Sequence, residues 1–328
     1  MIAHRLLRSS LVLAAVLAGC GESSVPVSQG PVEEPPPQYD GPKVSAHQGG
    51  YGYAPDGTMA AFVNAVRLGV DEIETDTFLM ADGRLVLLHD ETLDRTTDCS
   101  GDVSTLASAD VADCDAAYWW SPGQPDTRER EGVEYPLRGQ GIRLAFADEL
   151  FAYVASLGER GPRINIEIKI DSQQLLATRT AAAIVELIQE YELHDRVVVQ
   201  SFLPTSLDLV KLNDPSVRVS FLAGRTGATS CNLAALLSIA RGYEILSPEF
   251  AMPDLNESCV RLAQAAGLEV LPWTIDREED LTSLIGLGVD GIITNYPACL
   301  LRLLGRPVPA QVVTPLARQP AGFPLCLA

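Results

Sequence analysis

Positive charge is the first thing this chain is short of. Its 328 residues carry 24 Lys and Arg against 43 Asp and Glu, a formal net charge of -19, which argues against a sequence-independent grip on nucleic acid. Aromatic residues make up only 6%. Beyond the opening residues there is no run of about 20 apolar residues of the kind a membrane-crossing helix requires. No Gly-x-Gly-x-x-Gly follows a strand pattern and no Gly-x-x-x-x-Gly-Lys-Ser/Thr occurs, so nucleotide-cofactor chemistry has no motif to rest on. None of the 7 cysteines stands at Cys-x-x-Cys spacing, which disfavours a zinc site or a dithiol redox centre.

What is present begins with an address. Arg5 and Arg8 precede an apolar run from Leu11 to Leu17, and Leu17-Ala18-Gly19-Cys20 follows, the order of a secretory peptide. These residues resemble a bacterial lipobox, which implies a lipoprotein signal peptide over 1–19 and lipidation of Cys20. Its removal takes the net charge from -19 to -21. Residues 20–42, rich in Pro, Ser, Gly and Glu, read as a tether holding the domain off a lipid surface. The expected location is therefore outside the cytoplasm, anchored to the cell envelope, with the outer membrane favoured because Gly21 follows the lipidated cysteine. The remaining six cysteines suit an oxidising compartment. Pairing sequence neighbours closes the short loops Cys99–Cys114, Cys231–Cys259 and Cys299–Cys326.

From Val44 the chain alternates strand and helix patterns. Strands are expected at Val44, Asp71, 163–170, 196–202, 217–223, 243–248, 269–275 and 290–294, with helical stretches at 57–68, 173–191 and 255–266. Eight strands with interleaved helices over about 250 residues predict an α/β fold, a (β/α)8 TIM barrel spanning 43–306, with a tail at 307–328. An open doubly wound sheet is the structural rival. Two irregularities interrupt the alternation, a hairpin after the second strand and a turn-rich insertion at 91–141 that is a candidate substrate lid.

The hairpin holds the chemistry. Asp82-Gly83 between apolar runs is a strong two-residue turn signal, which places Ala81 opposite Arg84 and Asp76 opposite His89, with Glu74 on the same face as Asp76. Taken singly, such residues are more often solubilising or structural than functional. Together, among Ile73, Phe78, Leu85, Val86, Leu87 and Leu88, they describe charges in a buried setting that call for pairing or a cation. The other chemically able groups, His47, Glu167, Lys169, Gln200, Ser201 and Trp273, also fall near the carboxyl ends of predicted strands, where barrels of this type place reactive groups.

These residues resemble the glycerophosphodiester phosphodiesterase family. The similarity runs through Ala46-His47-Gln48-Gly49, Ala54-Pro55-Asp56-Gly57-Thr58, Glu74-Thr75-Asp76, His89-Asp90 and Asp94-Arg95-Thr96-Thr97. It continues in Asn165-Ile166-Glu167-Ile168-Lys169, Gln200-Ser201-Phe202, Trp273-Thr274-Ile275 and Gly288-Val289-Asp290-Gly291, covering about Val44 to Leu304. The resemblance implies metal-dependent hydrolysis of small-molecule glycerophosphodiesters to sn-glycerol 3-phosphate and an alcohol. It implies Glu74, Asp76 and Glu167 as metal ligands, His47 and His89 as the acid/base pair and Lys169 as the charge-stabilising cation. Three carboxylates suit calcium or magnesium, with calcium expected for an exported protein. His89 is expected as base and His47 as acid, and the attacking oxygen is either water or the substrate's own 2-hydroxyl.

Three positions depart from the family pattern. Gln48 stands where the family has Arg, removing a bidentate partner for phosphate; Gly57 replaces Asn, and Asn295 replaces the usual Asp. Arg84, Arg95 and Arg143 are the nearby cations that could compensate. Gln48 and Trp273 are expected to touch substrate; the alternatives are that Trp273 fills core and that Lys169 serves as an ion-pair partner of Glu167. Trp119 and Trp120 either pack the insertion or grip an alkyl or choline group. Two other functions fit the same residues: a sphingomyelinase D-like or phospholipase C-like action on a lipid diester, which an apolar ring at the barrel mouth would favour, and a lipid-anchored binding protein without turnover. The oligomeric state stays open.

Overall fold

The computed structural model describes residues 39–123, 132–169, 174–224 and 230–313, with residues 316, 319, 323, 325 and 326 of the tail. The signal peptide, Cys20 and nearly all of the tether lie outside the described residues, as do 124–131 of the insertion. The described elements run β1 (Lys43–Ala46), α1 (Met59–Leu68), β2 (Glu72–Leu79), β3 (Leu85–Leu87), α2 (Ala147–Ser156), β4 (Arg163–Ile168), α3 (Gln174–Glu190), β5 (Val197–Ser201) and α4 (Pro204–Asn213). They continue with β6 (Arg218–Ala223), α5 (Cys231–Arg241), β7 (Ile245–Pro248), α6 (Glu257–Ala265), β8 (Glu269–Val270), α7 (Glu278–Leu287), β9 (Gly291–Thr294) and α8 (Pro297–Leu303). Among the described residues no helix is long and apolar enough to cross a membrane.

Eight strands lie parallel in the order β8-β7-β6-β5-β4-β2-β1-β9, and β3 pairs antiparallel with β2. Backbone bonds from Asp290 to Val270 (3.0 Å), from Ile293 to Pro272 (3.0 Å) and from Ile275 to Ile293 (3.1 Å) join the two ends. The nearly closed (β/α)8 barrel is as the alternation predicts. The strand expected over 269–275 is shorter, because Pro272 supplies no N–H to a ladder; it ends at Val270 and resumes as a single bridge between Glu249 and Trp273. Helix α2 was not anticipated: it follows a predicted irregular insertion and is only ten residues long.

The strands alternate between two environments. Ile73, Ile164, Ile166, Val197, Val199, Val219 and Phe221 pack outward beneath the helices, as β-branched residues do well on a pleated surface. The alternate residues point into the barrel and are unusually polar. Ser45, Glu72, Asn165, Gln200 and Glu74 form one hydrogen-bonded file through it, ending in a 2.6 Å bond from Gln200 Nε2 to Glu74. At the amino-terminal end Glu269 closes the barrel by pairing with Lys43 at 2.6 Å and Arg218 at 3.0 Å.

The hairpin corrects the expected register by one residue. Thr77 faces Leu87, Phe78 faces Val86 and Leu79 faces Leu85, and Met80 donates to Arg84. The loop is three residues, Ala81-Asp82-Gly83, with Gly83 at φ +89°, a geometry in which glycine takes the left-handed position after a type I turn. Leu88, not His89, therefore lies beside Asp76, and Leu88 N donates to Asp76 O at 3.1 Å. His89 sits beyond the end of β3, free of the pleat. Below the hairpin, Phe78, Met80, Val86 and Leu88 join Leu93, Val103, Val111, Leu144 and Phe146 in a second small core that carries the insertion. Disulfides Cys99–Cys114, Cys231–Cys259 and Cys299–Cys326 form as sequence neighbours suggest.

Gly57 joins the β1–α1 loop to the hairpin. Its φ is +61°, its carbonyl accepts from Ala145 N at 2.8 Å, and a Cβ there would lie 2.3 Å from the Leu87 carbonyl oxygen. The close approach leaves no room for a Cβ at this position. Gly57→Ala is expected to lower unfolding stability by roughly 2–4 kcal/mol, from left-handed strain plus overpacking, measured as a reduced urea midpoint; an unchanged midpoint would show that the loop relaxes freely.

Candidate functional site

At the carboxyl end of the barrel, Glu74 and Asp76 project inward two residues apart on β2, and Glu167 projects from β4, whose register sets it beside Asp76. Ligand oxygens of all three lie within 4.8 Å of one another, and all three side chains are buried. Lys169 Nζ stands 3.3 Å from Asp76 and 3.5 Å from Glu167. Burial, and then the neighbouring Asp76 charge, raise the Glu74 carboxyl well above its ordinary range. Burial does the same to Glu167 and outweighs the opposing pull of Lys169. Burial works against charge on Asp76 as well, but Lys169 and the two histidines overcome it and hold that carboxyl down at about 2. Lys169, despite burial, is pushed above its usual range by the facing carboxylates.

Three carboxylates facing one ammonium leave negative charge uncompensated. The donor set fits a hard divalent cation, for which oxygen ligands of this kind are suited. Glu74 is prepared for such a role, since Gln200 Nε2 donates to one oxygen at 2.6 Å and the Gln48 backbone N–H to the other at 3.0 Å. Gln48 holds that N–H in place from a left-handed conformation, φ +50°, rare for a residue with a Cβ. Strain of this kind persists where the surroundings impose it.

His47 follows β1 and His89 follows β3, and both line the cavity that holds the acidic group. Asn295 gives its amide nitrogen to Asp276 at 2.8 Å, so its oxygen faces His47 Nδ1 at 2.7 Å. Nδ1 must then donate, which leaves Nε2 on the free side, 3.9 Å from Glu74. His89 Nδ1 meets Asp90 at 2.7 Å, and Asp90 also accepts from Arg95 Nε at 2.5 Å. Half-burial opposes charge on Asp90, but those two donors bring its carboxyl well below the usual range.

Two cavities meet at these histidines. One, of about 160 Å³, is lined by His47, His89, the three carboxylates, Lys169 and Gln200, with Phe202, Leu222, Trp273 and Ile293 as apolar wall. The other, of about 390 Å³, is lined by Gln48, Tyr51, Asp90, Arg95, Asp276 and Asn295. His47 and His89 belong to both.

The expected site residues His47, His89, Glu74, Asp76, Glu167, Lys169 and Trp273 thus share one cavity, and Gln48 lines the other. Trp273 is a wall rather than filler: its indole N–H donates to Ser247 O at 2.8 Å and its ring meets Phe202 edge-on. Of the three arginines considered as compensation, Arg84 pairs with Asp148 and Arg143 with Glu149, away from the cavities, while Arg95 lines the second one. Trp119 and Trp120 pack the insertion, donating to Thr97 O and Tyr51 O. Asp276 escaped the sequence reading, because nothing local marks a carboxylate that reaches the site only when β8 and β9 close the barrel.

A barrel with a cluster of carboxylates and two histidines at its strand carboxyl ends defines a class, that of barrel enzymes acting on a polar substrate at that face. Comparison with known proteins narrows it. The profile of the glycerophosphoryl diester phosphodiesterase family matches residues 47–299. A glycerophosphodiester phosphodiesterase of Caldanaerobacter subterraneus is 33% identical over 265 residues, 80% of this chain and 97% of that protein. One from Bacillus subtilis is 29% identical over 77% of this chain and 83% of its own length. In fold, the chain is similar to an Oleispira antarctica phosphodiesterase solved with the product sn-glycerol-3-phosphate. That likeness has a TM-score of 0.65 at 24% identity, over 81% of this chain and 97% of that one. The chain belongs to the glycerophosphoryl diester phosphodiesterase family.

The raised carboxyls carry a pH signature. Without a cation, Glu74 and Glu167 hold protons in the fold that the unfolded chain releases, so their contribution to stability falls as pH rises above about 4.5. A divalent cation held by these carboxylates would take the place of those protons. The gain in melting temperature from calcium over chelator is therefore expected to grow from pH 5 to pH 8; a gain independent of pH would place the cation elsewhere.

Proposed function

We propose that this protein hydrolyses glycerophosphodiesters, releasing sn-glycerol 3-phosphate and an alcohol, with a divalent cation at Glu74, Asp76 and Glu167 and His47 and His89 as acid/base pair. The observation that carries the reading is the convergence of both imidazoles, the three carboxylates and Lys169 on one cavity in a chain of this family. The bound cation would supply Lewis-acid polarisation of phosphoryl oxygens, and calcium is the proposed metal. Lys169 adds a fixed positive charge beside developing oxyanion charge. His89 takes the proton of the attacking oxygen, because Asp90 offsets the imidazolium that results. His47, entering as the imidazolium with its Nδ1 proton held by the Asn295 amide oxygen, gives its Nε2 proton to the departing alkoxide. The product complex of the Oleispira antarctica neighbour supports this substrate class.

None of the exposed large apolar side chains among the described residues lines either cavity, which favours a water-soluble diester over an intact lipid. We further propose that Cys20 is lipidated and anchors the domain to the cell envelope.

Two tests follow. Release of sn-glycerol 3-phosphate from glycerophosphodiesters should require a divalent cation, and His89→Ala should lower kcat by about 10²–10⁴-fold with the melting temperature retained; cation-independent turnover, or an active His89→Ala, contradicts the assignment. In cell fractionation, Cys20→Ser should move the protein from the membrane to the soluble exported fraction, and unchanged membrane association would refute the anchor.

A further inference from the structure

We propose that Tyr53, Leu325 and Cys326 are positioning residues for the reaction: with them the C-terminal tail clasps together the two loops that carry His47 and Asn295. The inference rests on the hydrolase reading above and adds to it a part of the chain beyond the family match, which ends at residue 299.

The two loops meet directly. His47 stands between β1 and α1, and Asn295 between β9 and α8. The Asn295 side-chain oxygen faces His47 Nδ1 at 2.7 Å, and its backbone oxygen accepts from Gly52 N at 3.1 Å. A Cβ on Gly52 would stand 2.9 Å from that backbone oxygen and 2.8 Å from the Tyr296 ring, so the approach admits only glycine. The aim of the imidazole therefore depends on how the loops are held. Helix α8 begins at Pro297, just after Asn295 and Tyr296, and is only 7 residues long. A helix of that length has little stability of its own and takes its place from packing.

The tail supplies the hold. Cys299, in the first turn of α8, is bonded to Cys326. Leu325, the residue before it, accepts from the Tyr53 hydroxyl at 2.6 Å. Adjacent tail residues are thus fastened to different loops, one covalently to the helix after Asn295 and one to the segment after His47. Tyr53 is fully buried. Its ring meets Tyr296 edge-on with centroids 5.5 Å apart, and Phe323 of the tail at 5.9 Å. Burial pushes the Tyr53 hydroxyl above its usual range, so it stays a donor to Leu325. The start of the tail is anchored separately, where Asn64 of α1 donates to Val312 O at 3.1 Å. Glu74, Asp76 and Glu167 are held instead by the β2–β4 ladder. Opening the clasp should therefore disturb His47 and spare the carboxylates.

The test uses the calcium-loaded protein with Cys326→Ala, which removes the covalent tie, and Tyr53→Phe, which removes one hydrogen bond and keeps the ring. Two diesters are compared: glycerophosphocholine, whose departing alkoxide needs a proton, and the p-nitrophenyl diester of glycerol phosphate, whose nitrophenolate leaves without one. Cys326→Ala should lower kcat for the choline diester by about tenfold or more, and for the nitrophenyl diester by less than about twofold, as misplacement of a general acid alone requires. Tyr53→Phe should give a smaller loss of the same kind. Asn295→Ala should reproduce the pattern, and adding Cys326→Ala to it should cost little more, because both act through His47. Equal losses on the two diesters, or fully additive losses, would overturn the positioning role and leave the tail a prop for the fold. Hydrogen exchange separates the readings. In Cys326→Ala, amide exchange should quicken over 47–53 and 295–299 and stay unchanged over 72–79 and 163–168. Unchanged exchange in the two loops would overturn the clasp whether or not any diester is cleaved. Quickened exchange there, with no turnover by the wild type, would uphold the clasp and overturn the hydrolase.

Discussion

Three carboxylates whose oxygens lie within 4.8 Å of one another in a barrel interior cannot all be charged unless positive charge is brought to them. Lys169 brings one unit and settles it chiefly on Asp76, which remains ionised while burial drives Glu74 and Glu167 towards the protonated form. Much of the surrounding structure serves this arrangement. Gln200 and the strained Gln48 backbone hold the two Glu74 oxygens, and the β2–β4 register brings Glu167 to Asp76. A divalent cation bound there, as proposed, would supply the positive charge that Lys169 alone does not.

The histidines extend that logic outward. Each has its Nδ1 occupied by a partner that is itself held, Asn295 by Asp276 and Asp90 by Arg95. Fixing one ring nitrogen directs the other at the reaction. The partners differ in charge, an amide behind His47 and a carboxylate behind His89, and this asymmetry is the basis of the distinct roles proposed for the pair. It arises from Asn295, whose amide oxygen faces His47 while its nitrogen is held by Asp276.

Much of this was legible in residue order. The barrel could be read because parallel strands alternate with helices at regular spacing, and the functional side chains because barrels present them where strands end. What escaped did so for identifiable reasons. The Asp82-Gly83 turn signal is compatible with two- and three-residue loops, and the choice flips every side chain of the returning arm; His89 nevertheless reaches the site because it lies past the last paired residue. Helix α2 follows an insertion whose irregularity hides it. The Asp276–Asn295 contact forms only at barrel closure, which no local pattern encodes.

The most direct test of the account is a crystal structure of the His89→Ala protein with calcium and uncleaved glycerophosphoethanolamine. The account predicts one cation bound by Glu74, Asp76 and Glu167 and phosphorus beside His47 Nε2. A cation bound by other residues, or phosphate density outside the two cavities, would contradict it.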